Sequence, residues 1–276
     1  MNNLWDSHLH TYFSADCEIS PEIMLNRAKK LSLKGITFTD HMDYDYPGED
    51  PHLFELNIKE YLLYMTKLME TESKNPGDTA FLVGMELGLQ PHLCDRHKEL
   101  VSSLPLDYVI GSIHVANGKD PYYSYFYEGR SGKDAYKEYY ECALENLSCF
   151  TDFDSLGHLD YIVRYAKNHL SSEDSYYDFN DYKEIIREIF AVLIKKDIAL
   201  EVNTGSYRAG LTEPNPNFET LKFYRECGGS LITIGADAHK TEHVGLHFES
   251  IGDELNAIGF KEYAVFKKRK PQFLPL

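Results

Sequence analysis

The sequence has few cysteines, little basic charge and no long apolar run, and each shortage narrows what the protein can be. It contains five cysteines, Cys17, Cys94, Cys142, Cys149 and Cys227, with irregular spacings and no Cys-x-x-Cys pair. We therefore expect free thiols in a reducing cytoplasm rather than a disulfide framework. No apolar stretch approaches membrane-spanning length. The first residues lack the basic and apolar regions of a secretory signal, which also favours the cytoplasm.

Acidic residues greatly outnumber basic ones. The 276 residues include 44 Asp and Glu against 28 Lys and Arg, and the formal net charge is −16. A surface of that sign repels a nucleic-acid backbone on average, although it leaves room for a local basic pocket that binds a small anion. We expect a small-molecule substrate as the partner, with no nucleic acid and no membrane.

Short apolar runs alternate with amphipathic helical patterns along the whole chain. The strand-like runs are 4–10, 34–39, 80–85, 107–113, 155–157, 198–203 and 230–235. Seven such alternations, without a linker or repeat, predict a single domain over residues 1–276 with a parallel sheet and helices outside it. At this length a closed or nearly closed barrel is the first choice, and a doubly wound open sheet is the second.

Side chains that can bind a metal follow most of these predicted strands. His8 and His10 are two positions apart in a strand, so their side chains point to the same face. Other candidates stand at later strand ends, and they are His41, Glu86, His114, His158, Asp237 and His239. The carboxyl ends of barrel strands meet at one rim. Any one histidine could be a surface or core residue, but six of them with carboxylates favour a shared site.

The donor set contains imidazoles and carboxylates without thiolates, which suits Zn, Mn or Fe. One ion takes about three to five protein ligands, so eight or nine candidates imply more than one ion. Glu86 stands alone on its strand end, and we choose it as the carboxylate shared between ions. Divalent ions held close together would generate a hydroxide at neutral pH and clamp an anionic substrate.

The order of these motifs resembles the PHP (polymerase and histidinol phosphatase) family. His-x-His is followed by Thr-Asp-His, Gly-x-Glu, Ser-x-His, Gly-His and Asp-x-His, and the likeness extends from Asp6 to about Gly245. It is closest to the histidinol-phosphate phosphatase branch. The resemblance implies a distorted (β/α)7, TIM-like barrel with a trinuclear centre of divalent ions at the carboxyl ends of the strands. It also implies hydrolysis of phosphate esters, with L-histidinol phosphate of histidine biosynthesis as the expected substrate.

The resemblance distributes the candidate ligands over three ions. The sets that it implies are His8, His10, Glu86 and Asp237 for the first ion, Glu86, His114 and His158 for the second, and Asp16, His41 and His239 for the third. Many relatives have histidine where this chain has Asp16. Aspartate is a competent ligand, so we keep Asp16 in the set, and the alternative for it is an exposed loop acid.

Two arginines near the predicted rim, Arg164 and Arg208, are candidate phosphate ligands. A guanidinium fork matches phosphate oxygens bidentately, which an ammonium group does not. Both could instead be ordinary surface arginines. The resemblance to a phosphatase favours the binding role.

The expected nucleophile is a metal-bridging hydroxide that attacks phosphorus in line. The three acidic ligands offset half the charge of three divalent ions, and the hydroxide with a phosphate dianion offsets the rest, which a semi-buried pocket favours. Asp160 and His243 are candidates for the acid that protonates the leaving group. Asp40, Asp107 and Asp160 could orient metal-binding imidazoles or simply cap loops.

Substrate selection and rival functions stay open in the sequence. The long segment 115–132 is rich in tyrosine and has the length of a functional lid. With those tyrosines, the acids Asp43, Asp45, Glu49 and Asp50 could receive a substrate cation, or they form a solvated loop. The rival functions are a PHP hydrolase of sugar phosphates, nucleotides or phosphotyrosine, a nuclease, and an inactive metal-stabilised module. An acidic chain argues against a nuclease.

Overall fold

Seven parallel strands form a nearly closed barrel in the computed structural model, which describes residues 4–74 and 77–276. In order of pairing, the strands are β1 Trp5–Leu9, β2 Gly35–Phe38, β4 Ala80–Gly88, β5 Tyr108–Ser112, β6 Ser155–Leu156, β7 Ala199–Asn203 and β8 Ile232–Gly235. A two-residue strand, β3 His41–Met42, follows β2 and also pairs with β4.

The first and last strands of this sheet approach each other and close the barrel. The backbone N–H of His10 donates to the carbonyl of Ala238 at 3.0 Å, and that of Ala238 donates to the carbonyl of His8 at 3.3 Å. A doubly wound sheet would place β1 in the middle and keep its edges apart. The distorted (β/α)7 barrel is therefore confirmed, and the open sheet is excluded. That residues 1–276 form one domain stays a prediction.

Helices cover the outside of the barrel. They are α1 Pro21–Lys30, α2 Ile58–Lys74, α3 Cys94–Ser103, α4 Gly132–Cys149, α5 Val163–His169, α6 Lys183–Lys196, α7 Phe218–Glu226 and α8 Phe248–Ala257. The apolar stripe of α6 shows why they pack there, because its buried residues recur at helical spacing: Ile186, Ile189, Phe190 and Leu193. None of the described helices is both long and apolar enough to cross a membrane.

The carboxyl-terminal segment of the chain forms a β-hairpin. Strands β9 Glu262–Lys267 and β10 Lys270–Pro275 pair antiparallel. The carboxylate of Asp107 accepts from the backbone N–H of Lys268 at 3.0 Å and thereby holds the hairpin turn. Asp107 precedes β5 and so lies at the rim opposite the candidate metal ligands. The prediction that Asp107 orients a metal-binding imidazole is wrong, and the alternative of a loop cap describes it.

The expectation of five free thiols is also wrong. Cys94 and Cys149 form a disulfide, whereas Cys17, Cys142 and Cys227 are free. Cys94 begins α3 and Cys149 ends α4, so the packing of these two helices brings together residues 55 positions apart. Sequence spacing carries no signal for such a pair.

Candidate metal centre

Glu86 lies at the centre of the candidate site, buried near the carboxyl end of β4. Its Oε2 lies 3.2 Å from Nε2 of His8 and 3.4 Å from Nε2 of His10. The same oxygen lies 3.0 Å from Nδ1 of His41. Three imidazoles, delivered by β1 and β3, therefore meet one oxygen of one carboxylate.

The other oxygen of Glu86 faces a second group of imidazoles. Its Oε1 lies 3.2 Å from Nε2 of His114 and 3.0 Å from Nε2 of His158, and it accepts a hydrogen bond from the Ser112 hydroxyl at 2.7 Å. A carboxylate whose two oxygens face separate donor groups has the arrangement of a bridging ligand. The sequence-based choice of Glu86 as the bridge agrees with this placement and stays a prediction.

Outer carboxylates determine which nitrogen of two imidazoles carries the proton. Nδ1 of His8 lies 2.6 Å from Oε1 of Glu201, and Nδ1 of His114 lies 2.6 Å from Oδ2 of Asp43. Each Nδ1–H donates to its carboxylate, so each Nε2 presents a lone pair toward Glu86. Carboxylate–histidine pairs of this kind accompany metal-binding histidines.

His10 is oriented by a longer relay. The Ser14 hydroxyl donates to Oδ1 of Asp40 at 2.9 Å, so its oxygen accepts from Nδ1–H of His10 at 3.1 Å. Asp40 also accepts from the backbone N–H of Thr11 at 2.7 Å. Burial raises the pKa of Asp40 to about 6, which leaves it ionised at neutral pH. Asp40 thus acts on an imidazole through Ser14, in keeping with its predicted orienting role.

Asp16, His41 and His239 form a third group near the mouth of the barrel. Oδ2 of Asp16 lies 3.1 Å from Nε2 of His239 and 3.7 Å from Nε2 of His41. Nδ1–H of His239 donates to the backbone carbonyl of Asp237 at 3.0 Å, so its Nε2 lone pair points at Asp16. The structure brings all three residues of the predicted third site together.

Divalent cations fit this donor set. The lone pairs of several imidazoles converge on a carboxylate, an arrangement that is repulsive unless a cation lies among them. Buried Oε2 of Glu86, Nδ1 of His41 and Nε2 of His239 have no hydrogen-bond partner among the described residues. Burial raises the pKa of Glu86, but the surrounding imidazoles outweigh it and hold that pKa well below the ordinary value. An ionised carboxylate surrounded by unpaired nitrogens is a site for positive charge.

Asp237 joins the imidazoles to the two arginines. Its Oδ1 lies 3.6 Å from Nε2 of His10, while its Oδ2 accepts from Arg164 at 2.8 Å and lies 3.2 Å from Nη2 of Arg208. Burial raises the pKa of Asp237, but Arg208, His8 and Arg164 outweigh it and hold the pKa well below the ordinary value. Arg208 also donates to the backbone carbonyls of Ala236 and Asp237.

Arg164 is only 2% exposed, yet it reaches the cavity. Its Nε donates to Asn215 at 2.6 Å and its Nη2 donates to Asn203 at 2.5 Å. Asn215 in turn donates to Oδ1 of Asp160 at 2.5 Å, and the backbone N–H of Asn217 donates to Oδ2. Both carboxylate oxygens of Asp160 are therefore occupied behind Arg164. They touch neither an imidazole nor the cavity, so both predicted roles of Asp160, proton donor and orienter of an imidazole, are wrong.

His243 does not line the cavity either. It ends a short turn of helix at 241–243, before α8, and its side chain is half-buried there. Burial lowers the pKa of His243, and nearby Arg208 lowers it further. Its place outside the cavity wall contradicts the prediction that it protonates a leaving group.

The cavity above the candidate ligands has a volume of about 380 Å³. Its polar floor consists of Asp16, His41, Asp43, Glu86, His114, His158, Asp237 and His239, with the two arginines beside them. Its outer wall is aromatic and consists of Tyr46, Phe54, Tyr122, Tyr123, Tyr161 and Tyr165, with Asp120 among them. An anion would be held at the floor, and a flat or cationic group would contact the wall.

Sequence reasoning missed Glu201 and gave Asp43 another role. Glu201 interrupts an otherwise apolar strand, β7, and its Oε2 also accepts from the backbone N–H of His158 at 2.8 Å. A lone acid inside an apolar strand is a usable signal of a buried partner. Asp43 carried no such signal. Gly88 makes room for it, because a Cβ at position 88 would lie 2.5 Å from Cγ of Asp43.

The Glu201→Gln variant tests the pairing with His8. Glutamine loses the negative charge that strengthens the imidazole as a donor, and its N–H₂ group must face either Nδ1–H of His8 or the backbone N–H of His158. We expect metal affinity to fall about 10- to 100-fold, measured by titration with zinc in a chelator-buffered solution. Glu188→Gln, an exposed change on α6, is the matched control. Equal affinities of the two variants would contradict the pairing's role.

Comparison with known proteins identifies the family that this chain resembles. The model of the family described as PHP domain matches residues 6–205. A Clostridium acetobutylicum protein named a probable histidinol-phosphatase is 32% identical over 250 residues, which are 90% of this chain and 91% of that protein. The histidinol-phosphatase of Lactococcus lactis is 31% identical over 266 residues, 96% of this chain and 95% of that protein.

A solved structure extends the likeness to three dimensions. The crystal structure of histidinol phosphate phosphatase from Lactococcus lactis, complexed with zinc, L-histidinol and phosphate, is similar with a TM-score of 0.88 and 30% identity. The match covers 98% of this chain and 99% of that chain. These matches confirm the resemblance found in the motifs, and the chain belongs to the PHP domain family.

Proposed function

We propose that this protein is a histidinol-phosphatase, which hydrolyses L-histidinol phosphate to L-histidinol and phosphate. One observation carries the proposal: both oxygens of Glu86 meet imidazole nitrogens at 3.0–3.4 Å, in a cavity that Arg164 and Arg208 also line. The Lactococcus lactis relative, matched over nearly the full length of both chains, was crystallised with zinc, L-histidinol and phosphate. The expected place of the reaction is histidine biosynthesis in the cytoplasm.

Three divalent ions are the proposed cofactors, with Zn, Mn and Fe as candidates. The resemblance to the PHP family divides the residues that would hold them into three sets, and their proximity in the structure supports this division: His8, His10, Glu86 and Asp237; Glu86, His114 and His158; and Asp16, His41 and His239. When bound, such ions would lower the pKa of water, so that hydroxide is available to attack at neutral pH. They would also neutralise charge on the phosphate oxygens. Glu86 and Asp237 would supply ionised oxygens that hold such ions beside the imidazoles.

The two arginines would bind and orient the phosphate group. Asp237 fixes both guanidinium groups at the cavity wall through its Oδ2. Arg164 cannot swing away, because Asn203 and Asn215 hold its other nitrogens. A fixed cationic fork stabilises the charge that develops on the phosphoryl oxygens without having to reorganise. No described side chain is required to become phosphorylated in this scheme.

Metal removal tests the proposal directly. Protein treated with a chelator and then freed of it should lose phosphate release from L-histidinol phosphate. Added Zn²⁺, Mn²⁺ or Fe²⁺ should restore release, and elemental analysis of the active protein should approach three ions per chain. Full activity in metal-free protein would overturn metal dependence. A stoichiometry of one ion would overturn the trinuclear assignment alone.

A substrate panel separates the proposal from its rivals. L-Histidinol phosphate should be hydrolysed with a higher kcat/KM than sugar phosphates, nucleotides or phosphotyrosine. Faster hydrolysis of any other phosphate ester would leave the proposed phosphoesterase activity in place but would contradict L-histidinol phosphate as the preferred substrate. Cleavage of single-stranded nucleic acid would revive the nuclease alternative, which the net charge of −16 opposes.

A further inference from the structure

Asp120 is a buried acid on the outer wall of the cavity, away from the candidate metal ligands. It lies in the tyrosine-rich segment between β5 and α4 and is only 4% exposed. Its Oδ2 accepts from the Tyr46 hydroxyl at 2.5 Å, and its Oδ1 accepts from the backbone N–H of Tyr122 at 2.7 Å. These two bonds fix the carboxylate and leave lone pairs on both oxygens.

No positive side chain balances Asp120 in the described part of the chain. No described Lys, Arg or His nitrogen lies within 4.0 Å of its oxygens, whereas Asp237 in the same cavity has two arginines. A buried carboxylate held only by neutral donors pays a desolvation penalty that a cation would offset. Burial accordingly raises the pKa of the Asp120 carboxyl above its ordinary value. A ligand cation would supply the counter-charge that no described side chain in contact with Asp120 provides.

Aromatic rings surround the same part of the cavity. The rings of Tyr122 and Tyr165 meet edge to face at 5.2 Å, and those of Tyr161 and Tyr165 at 4.9 Å. Tyr46 packs edge to face on Phe54 at 4.6 Å. Faces of such rings attract an ammonium group and strengthen its pairing with a nearby carboxylate. The outer wall thus offers both elements of an organic-cation site.

The acids that the sequence suggested as partners of a substrate cation are either hydrogen-bonded to a histidine or exposed to solvent. Asp43 holds His114 at 2.6 Å, so its charge serves the metal centre. Asp45 is exposed and lies 2.9 Å from Nε2 of His92, outside the cavity wall. Glu49 and Asp50 are also exposed. Among the described acids that line the cavity, Asp120 is the one that contacts neither a described imidazole nor a described arginine.

We propose that Asp120 determines substrate specificity by receiving the primary ammonium group of an amino-alcohol phosphate. The arginines bind the phosphate end of such a substrate, and Asp120 binds its cationic end within one cavity of about 380 Å³. The enzyme would therefore select phosphate monoesters that carry an ammonium group near the ester carbon. This inference rests on the proposed function and names the residue that discriminates among phosphate esters.

The test compares Asp120→Asn with the natural protein on two substrates. These are L-histidinol phosphate and the analogue that lacks only its amino group. For the natural protein we expect kcat/KM to be about 10- to 100-fold higher on the amine, as for one charged hydrogen bond. Asp120→Asn should remove most of this preference, mainly by raising KM for L-histidinol phosphate. Asp95→Asn, an exposed change on α3, is the matched control.

Product binding provides a second measurement that does not depend on turnover. Calorimetric Kd values for L-histidinol should rise about 10- to 100-fold in Asp120→Asn, while inorganic phosphate should lose much less affinity. Equal losses for L-histidinol and phosphate, or for both substrates, would show a general structural defect and overturn the proposal. A variant that retains the amine preference would also overturn it. Should Asp120→Asn fail to fold, Tyr46→Phe, which weakens the hold on the carboxylate, must show a smaller loss of the same preference.

Failure of the proposed function would give a different result. The natural protein would then hydrolyse another phosphate ester faster than L-histidinol phosphate. In that case the Asp120→Asn comparison is run on phosphoethanolamine and ethyl phosphate, which differ by one ammonium group. If the natural protein prefers phosphoethanolamine and Asp120→Asn loses that preference, the role of Asp120 is supported although histidinol phosphate is not the substrate. If the natural protein shows no such preference, the role of Asp120 is overturned.

Discussion

The Glu86→Gln variant should lose both its bound metal and most of its phosphatase activity. Glutamine has the same shape, but its amide offers one acceptor oxygen and one N–H₂ group where the carboxylate offers two charged oxygens. One group of imidazoles, either that of His8, His10 and His41 or that of His114 and His158, would then face a donor. An N–H₂ group cannot share a cation with them.

The size of this effect follows from the burial of the group. Removing one partner from a buried charge pair costs about 3–5 kcal/mol. Lost from metal binding, this free energy lowers metal affinity roughly 10²- to 10⁴-fold, and we expect kcat/KM at limiting metal to fall with it. The measurements are phosphate release from L-histidinol phosphate and metal content by elemental analysis. Glu145→Gln, an exposed change on α4, controls for loss of a glutamate. Glu86→Gln protein with full metal content and activity would remove Glu86 from the centre.

The sequence was sufficient to predict which side chains meet at the rim, because topology alone carries that information. His8, Glu86 and His158 stand at or just after the carboxyl ends of separate apolar strands, and a parallel barrel brings those ends to one rim. Strand order decides which of these strand ends are neighbours. The fold and the gathering of the candidate ligands were therefore predictable at the level of residues.

The residues behind the ligands were not predictable in the same way. Ser14 and Asp43 lie in loops, and only their loop conformation shows that they orient His10 and His114. Asp160 was misassigned for the same reason, because its carboxylate turns toward Asn215 and away from the cavity. The predicted roles of Asp160 failed because they depended on the direction of one side chain rather than on the position of a strand end.

The direction of the strands also separates Asp107 from Glu86. Asp107 precedes β5 and Glu86 lies near the end of β4, so they occupy opposite rims although both adjoin metal-bearing strands. Strand polarity, which the sequence already indicates, distinguishes them, and the predicted orienting role of Asp107 overlooked it. In contrast, the Cys94–Cys149 pair depends on the packing of α3 against α4, which no local pattern indicates.

Arg164→Lys should weaken phosphate binding strongly while the positive charge is retained. Arg164 already donates three N–H groups, to Asp237, Asn203 and Asn215. A guanidinium has five N–H groups, so one remains on each terminal nitrogen, in the fork that a phosphate accepts. Lysine has three N–H groups on one nitrogen and cannot satisfy all three partners and a bidentate phosphate.

The expected loss exceeds that of a surface contact, because Arg164 is buried and its partners would be left unsatisfied. Truncating one partner of a buried, hydrogen-bonded charge pair costs about 2–5 kcal/mol, or roughly a 30- to 4,000-fold loss in kcat/KM. The inhibition constant of inorganic phosphate should rise with it. Arg187→Lys, which alters an exposed ion pair with Glu184, is the matched control and should leave phosphate inhibition unchanged.

Metal content distinguishes a binding role of Arg164 from a supporting one. Asp237 also faces the imidazoles. If Arg164 only supported Asp237, the Arg164→Lys protein would lose metal as the Glu86→Gln protein does. A phosphate-binding arginine instead leaves most of the metal in place and raises the inhibition constant of phosphate. Unchanged phosphate inhibition in metal-replete Arg164→Lys protein would contradict phosphate binding, because the ions alone would then account for the affinity.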